Sequence, residues 1–106
     1  MISHKKVEDY VLSMPNAQLD YPFGENTAVY KVKDRMFALI SEKSDPLRIS
    51  LKCDPVLAET LRQKYESVMP GYHLNKKHWN TVVLSGQLSW PQIQDLIKHS
   101  YGLVAG

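Results

Sequence analysis

Apolar residues first recur at helical spacing. Ile2, Val7, Tyr10, Val11 and Met14 form one stripe, as the buried face of a helix requires. Ser3 stands where an N-cap is needed and Pro15 where the helix must stop. Asn16 to Gly24 reads as a loop, with a short extended piece at Leu19 to Tyr21. The period then falls to two. Ala28, Tyr30 and Val32 alternate with Val29 and Lys31, and Lys33-Asp34-Arg35 supplies a tight turn. Met36 to Ile40 is almost wholly apolar, as a central strand is. After a polar turn at Ser41 to Pro46, Leu47, Ile49 and Leu51 alternate with Arg48, Ser50 and Lys52, predicting a strand with one wet face. These three strands make an antiparallel meander.

Asp54-Pro55 opens a second helix, the carboxylate capping free amides and the proline occupying the first turn. Leu57, Ala58, Leu61 and Tyr65 form its stripe, and Pro70-Gly71 ends the unit. Thr81 to Leu84 is a short strand, closed by Ser85-Gly86. Ser89 caps a last helix near Pro91 to Leu103, with Ile93, Leu96, Ile97, Tyr101 and Val104 facing inward. The order α, three or four β, α, β, α predicts an α+β fold: helices packed on one mainly antiparallel sheet.

Length and composition agree with a single domain over residues 1–106. The 106 residues suffice for one core, and 43% hydrophobic with 23% charged residues is a globular balance. A lone Cys53 excludes an internal disulfide and fits a reducing compartment. No apolar run is long enough for a signal peptide or a membrane span, so a cytoplasmic monomer without membrane contact is the expectation.

Charge matters through its distribution. The net charge is only +2, yet Ser67 to Gln94 holds no Asp or Glu while it carries His73, Lys76, Lys77 and His78. The decapeptide Gly71 to Asn80 combines two imidazoles, two ammonium groups, two amides and Trp79. Lys and His neutralise phosphates, Asn bonds base edges, and Trp stacks or wedges. The plainer reading has Trp79 anchor the loop, His73 and Asn75 bond loop backbone, and both lysines sit solvated. Lys31, Lys33 and Arg35, two residues apart, are candidates for one ribbon face, although the turn can move Arg35 off it. With Arg48 and Lys52 they would make a basic stripe.

Other chemistry finds less. His73 and His78 are five apart, not the four of a helical zinc motif. Cys53 lies beside a helix start, but a buried apolar role suits it better. The glycines are spread singly, so no phosphate loop exists. His73 or His78 suits acid/base work by titration range, but neither has a neighbouring nucleophile or orienting carboxylate in sequence. No catalytic residue, metal ligand or cofactor is assigned.

The run Ile49-Ser50-Leu51-Lys52-Cys53-Asp54-Pro55, followed after a helix by Pro70-Gly71-Tyr72-His73-Leu74-Asn75-Lys76-Lys77-His78-Trp79-Asn80-Thr81-Val82, resembles the MmcQ/YjbR family. Met14-Pro15-Asn16-Ala17 and the Ala28-to-Leu39 hairpin extend the likeness over nearly the whole chain. Its most specific element falls on His73, Leu74, Asn75, Lys76, His78 and Trp79, with Lys77 at the variable position. The resemblance implies a double-wing arrangement related to the frataxin-like (CyaY-like) folds. It implies duplex DNA binding by fold analogy and gives no firm enzymatic activity. No acidic ridge for iron is visible, since Glu8 and Asp9 are the only adjacent acids of the first helix.

Two functional expectations follow. In the first, Lys31, Lys33, Arg35, Arg48, Lys52, Lys76 and Lys77 contact duplex phosphates while His73, Asn75, His78 and Trp79 add hydrogen bonds and stacking, with little sequence preference. In the second, the same loop and the sheet bind a protein or a small anionic ligand without catalysis.

Overall fold

A computed structural model describes residues 2–106. The chain runs α1 (His4–Leu12), β1 (Gln18–Asp20), β2 (Thr27–Val32), β3 (Arg35–Ser41), β4 (Arg48–Lys52), α2 (Pro55–Lys64), β5 (Val68–Pro70), β6 (Trp79–Val83) and α3 (Trp90–Ala105). Each helix starts where its cap residue stands. Ser3 accepts from the Lys6 amide at 3.1 Å. The Asp54 carboxylate accepts from Val56 at 3.1 Å and Leu57 at 3.2 Å, with proline in the first turn. Ser89 and Gln92 form a reciprocal capping box.

The six strands form one antiparallel sheet in the order β1-β2-β3-β4-β6-β5. The α+β architecture expected from the periodicity is therefore present, with β5 as an addition. β5 is three residues long and ends in Pro70. Such a segment is too short for a period-two signal, and a proline is tolerated there because β5 lies at the sheet edge. β6 begins at Trp79 rather than Thr81, since Trp79 pairs with Lys52.

One face of the sheet carries the main core. Ala28, Tyr30 and Val32 of β2, Ala38 and Ile40 of β3, Ile49 and Leu51 of β4, and Val82 of β6 pack with Val7 and Val11 of α1 and Ile93, Ile97 and Val104 of α3. α2 covers the β5–β6 side of this face, where the buried Asn80 amide donates to the Ala58 carbonyl at 3.2 Å. The other face receives no helix and holds a small second cluster of Val29, Leu39 and Trp79.

The β2–β3 hairpin turns at Lys33 and Asp34, both with positive φ (54° and 61°), the geometry of a type I′ turn. This corrects the expected shared face of Lys31, Lys33 and Arg35. A turn residue in left-handed conformation does not continue the pleat, and the Lys33 ammonium instead donates to the Ala105 carbonyl at 3.0 Å. A register shift then leaves Phe37 unopposed between the Tyr30–Ala38 and Lys31–Met36 pairs, so its ring turns into the core and packs edge-on against Tyr101. The backbone group freed by this bulge is not orphaned. Ser100 of α3, fully buried, donates to the Phe37 carbonyl at 2.5 Å and accepts from the Lys52 amide at 2.9 Å.

Ser100→Ala removes both partners at once without changing volume much. We expect a loss of about 1–3 kcal/mol in urea unfolding, with an unchanged far-ultraviolet spectrum. A loss below a few tenths of a kcal/mol would show that the bulge is held by packing alone.

Candidate functional site

The uncovered face of the sheet carries a cleft of about 440 Å³. Its floor follows from strand register. Thr27, Ser41 and Arg48 lie in one cross-strand row, and Leu39, Ser50 and Thr81 in the next. Alternation puts these side chains opposite the helices. Phe23, from the β1–β2 connection, and Tyr72, His73 and Leu74, from the β5–β6 connection, wall the cleft, with Ser44 at the β3–β4 turn. Phe23 and Tyr72 are 65% and 69% exposed, large apolar surfaces turned to water beside a concavity. Ser50 and Thr81 hydroxyls bond each other at 2.8 Å, and Thr81 also accepts from the Tyr72 amide at 3.1 Å, which ties the wall to the floor.

No carboxylate lines the cleft. The ion pairs among the described residues join His4 to Glu42, Lys5 to Asp9 and Lys31 to Asp20, leaving Arg48 without an acidic partner. An unpaired guanidinium beside hydroxyls and apolar walls suits an anionic group attached to an apolar body.

The 71–78 loop is shaped by steric and hydrogen-bond constraints. A Cβ at Gly71 would stand 2.7 Å from that of Trp79, so only glycine permits this close approach. His73 takes φ +57°, and its ring lies 4.0 Å from that of Tyr72. Asn75 folds its side chain back to accept from the Lys77 amide at 2.9 Å. The loop is then pinned from the helix layer. The Arg62 guanidinium of α2 donates to the Asn80 side chain at 2.6 Å, to the Trp79 carbonyl at 3.3 Å and to the Lys76 carbonyl.

These contacts sort the residues singled out in the sequence. His73 and Arg48 both line the cleft. Trp79 is 8% exposed within the second cluster and is not presented for stacking. The Lys76 ammonium donates to the Gly71 carbonyl at 3.1 Å. His78 is half-buried, and its carbonyl accepts from the Cys53 amide at 2.7 Å. Asn75 serves the loop itself, and Lys77 is exposed. Lys31 pairs with Asp20 at 3.5 Å. By register, Lys31, Arg35 and Lys52 lie toward the sheet end where β6 starts, whereas Arg48 is at the other end of β4, about 13 Å from Lys52 at strand rise. The basic residues thus divide between two ends rather than forming one stripe.

The sequence patterns assign no site role to Phe23, Tyr72 or Arg62. Phe23 and Tyr72 carried a usable signal: each is an aromatic residue within a loop of turn-forming neighbours. Arg62 carried none, because an arginine on an amphipathic helix reads as a solvated charge.

Cys53 is 4% exposed. Burial chiefly, with the Asp54 carboxylate next and partly offset by Arg62, pushes its thiol from 9.0 up to about 11. That opposes nucleophilic use at neutral pH.

Known proteins match this chain over almost its full length. The YjbR family profile matches residues 12–103. The Escherichia coli O157:H7 protein YbdF is 38% identical over 101 residues, 95% of this chain and 83% of that protein. The Escherichia coli K12 protein YjbR is 40% identical over 92 residues, covering 87% and 78% respectively. The crystal structure of Deinococcus radiodurans protein DR2400, a DUF419 domain, superposes with TM-score 0.94 at 42% identity, over 99% of this chain and 80% of that one. A Pseudomonas syringae crystal structure superposes with TM-score 0.82 at 32% identity, over 96% and 98%.

Two outcomes are expected here. Arg62→Met keeps the aliphatic stem but orphans the buried Asn80 oxygen, lowering stability by about 1–3 kcal/mol and raising amide exchange across residues 72–78; unchanged exchange there would sever the loop from this pin. Native Cys53 should resist alkylation near pH 8 and react faster as pH approaches about 11. Because folding raises this pKa, the associated stability, on the order of 2 kcal/mol, is present below pH 9 and fades as pH climbs toward 11.

Proposed function

This chain belongs to the YjbR family, and we propose that it is a binding module whose outer-face cleft takes a small anion bearing an apolar body. Arg48 meets the anionic group, the hydroxyls of Thr27, Ser41 and Ser50 complete its hydrogen bonds, and Leu39, Leu74, Phe23 and Tyr72 cover the apolar part. The observation that carries this reading is the unpaired Arg48 at a cleft with no acidic lining. The same features argue against catalysis: the titratable side chains at the cleft are Arg48, His73 and Tyr72, with no carboxylate to orient an imidazole or activate a hydroxyl.

Duplex DNA binding is the second reading. It is favoured by Arg35, Lys52 and Lys77, which have no carboxylate partner among the described ion pairs. With Lys31, Lys33 and Lys76 added, they would contact phosphates, while His73, Asn75 and His78 would bond to the duplex. The buried Trp79 weakens any stacking role.

One titration separates the two. Amide shifts of the whole chain are followed with a panel of aliphatic and aromatic carboxylates and phosphate esters, and separately with a short duplex. The cleft reading expects saturable shifts at Ser41, Arg48, Ser50 and Thr81, weakened about tenfold or more in Arg48→Ala, since a charged hydrogen bond is worth about 1.5–3 kcal/mol. Equal affinity in that variant overturns it. The duplex reading expects shifts at Arg35, Lys52 and Lys77, loss on charge reversal of Lys76 and Lys77, and a log-log salt slope of about −0.9 per phosphate contacted.

A further inference from the structure

The helix-covered face carries a second set of polar groups that the cleft does not use. His4 and Glu8 stand four residues apart on α1, so they share one face of its first turns. Glu42 follows the last residue of β3 and comes up beside them. One donor atom from each of the three lies within 4.8 Å of the others. All three side chains are partly buried, His4 34% and Glu42 21% exposed.

Three observations distinguish this cluster from a surface ion pair. First, each carboxylate is braced by a tyrosine. Tyr30 donates to Glu8 at 2.7 Å, and Tyr21 donates to Glu42 at 3.3 Å. Each tyrosine engages one carboxylate oxygen, and the second oxygen of Glu42 is the one that lies against His4, an arrangement like that of outer-shell partners of metal-bound carboxylates. Second, Tyr30 is fully buried, so its ring is fixed by the core and its hydroxyl is held in place against Glu8. Third, the His4 Nε2 atom is shut off from solvent and lies 2.8 Å from a Glu42 oxygen, yet without hydrogen-bond alignment. A solvent-excluded ring nitrogen left without a hydrogen bond beside two carboxylates has its bonding capacity unspent.

We propose that His4 Nε2, Glu8 and Glu42 form a binding site for one divalent first-row transition ion, with open positions for water. One imidazole and two carboxylates match the nitrogen and oxygen preference of such ions. Ligand bonds of about 2.0–2.2 Å put neighbouring donors roughly 3.4 Å apart, which small side-chain rotations reach from the observed spacing. Sequence spacing brings only His73 and His78 forward as a metal pair, and five residues apart they do not fit. His4 has no such imidazole partner at metal spacing in sequence, and Glu42 joins it only through the fold. This site shares no residue with the cleft, so it stands or falls separately.

The test is calorimetric titration of the full chain with Zn²⁺, with wild type compared to Glu42→Gln, His4→Gln and Tyr30→Phe. The expected result is one ion per chain in wild type. Either ligand variant should bind at least tenfold more weakly, and Tyr30→Phe about tenfold, as loss of an outer-shell partner typically costs. Thermal unfolding with and without Zn²⁺ gives a second readout that tolerates a weakened variant: wild type gains stability from the ion and His4→Gln does not. Absence of stoichiometric binding in wild type overturns the proposal. So does equal affinity in both ligand variants, which would move the ion to other groups such as the loop imidazoles.

Discussion

The sheet is covered unevenly, and one arginine compensates. Three helices close one face, while on the other the 71–78 loop lies over Val29, Leu39 and Trp79. A segment with this many polar groups has little apolar area with which to hold itself down. Its position depends on Arg62, whose guanidinium reaches from α2 to Asn80 and Trp79 at the start of β6 and to Lys76 in the loop. A planar fork satisfies several acceptors at once, whereas a lysine would satisfy them singly. The cleft walls formed by Tyr72, His73 and Leu74 therefore inherit their position from the helix layer on the opposite side of the sheet.

Where an element buries one face with a clear period, its sequence showed it. The α1 stripe, the Ala28-Tyr30-Val32 alternation and the Ile49-Leu51 pair all appear in the core as periodicity predicts. The caps at Ser3, Asp54 and Ser89 work because the capping residue is itself the local signal. Legibility fails where the outcome depends on distant parts of the chain. β5 is recognisable only as the partner of β6. The Phe37 bulge depends on Ser100, 63 residues away in sequence. The candidate site was half legible. Its polar loop stood out by composition, but which groups face outward was decided by Gly71 against Trp79 and by Arg62, neither of which alters any period.

A low net charge can hide strong local preference. Long-range attraction scales with the summed field and is screened over about 10 Å at 0.1 M salt. A guanidinium at the rim of a concavity, with apolar walls beside it and no carboxylate in the described lining, acts at contact range rather than through the summed field. In the proposed binding role, Arg48 would therefore contribute more to selectivity than its share of a +2 charge suggests. The same reasoning lowers the weight of Lys31 and Lys33, whose ammonium groups are already engaged by Asp20 and by the carbonyl end of α3.

The two candidate sites lie on opposite faces of the sheet but share a support. At the end of β3, Ser41 faces the cleft, and Glu42, the next residue, reaches His4. Glu42 also holds the β1–β2 connection twice: its amide donates to the Asn26 carbonyl at 2.8 Å, and its carboxylate accepts from Tyr21. Phe23, a cleft wall, lies between those two attachments. Fixing the Glu42 side chain therefore restricts the segment that carries Phe23, and a ligand seated against Phe23 restricts the segment that braces Glu42. With both proposed sites occupied, such ordering would lower the entropy lost in the second event. Linkage would make the effect symmetrical: whatever factor an ion at Glu42 added to affinity at the cleft, a cleft ligand would return to the ion.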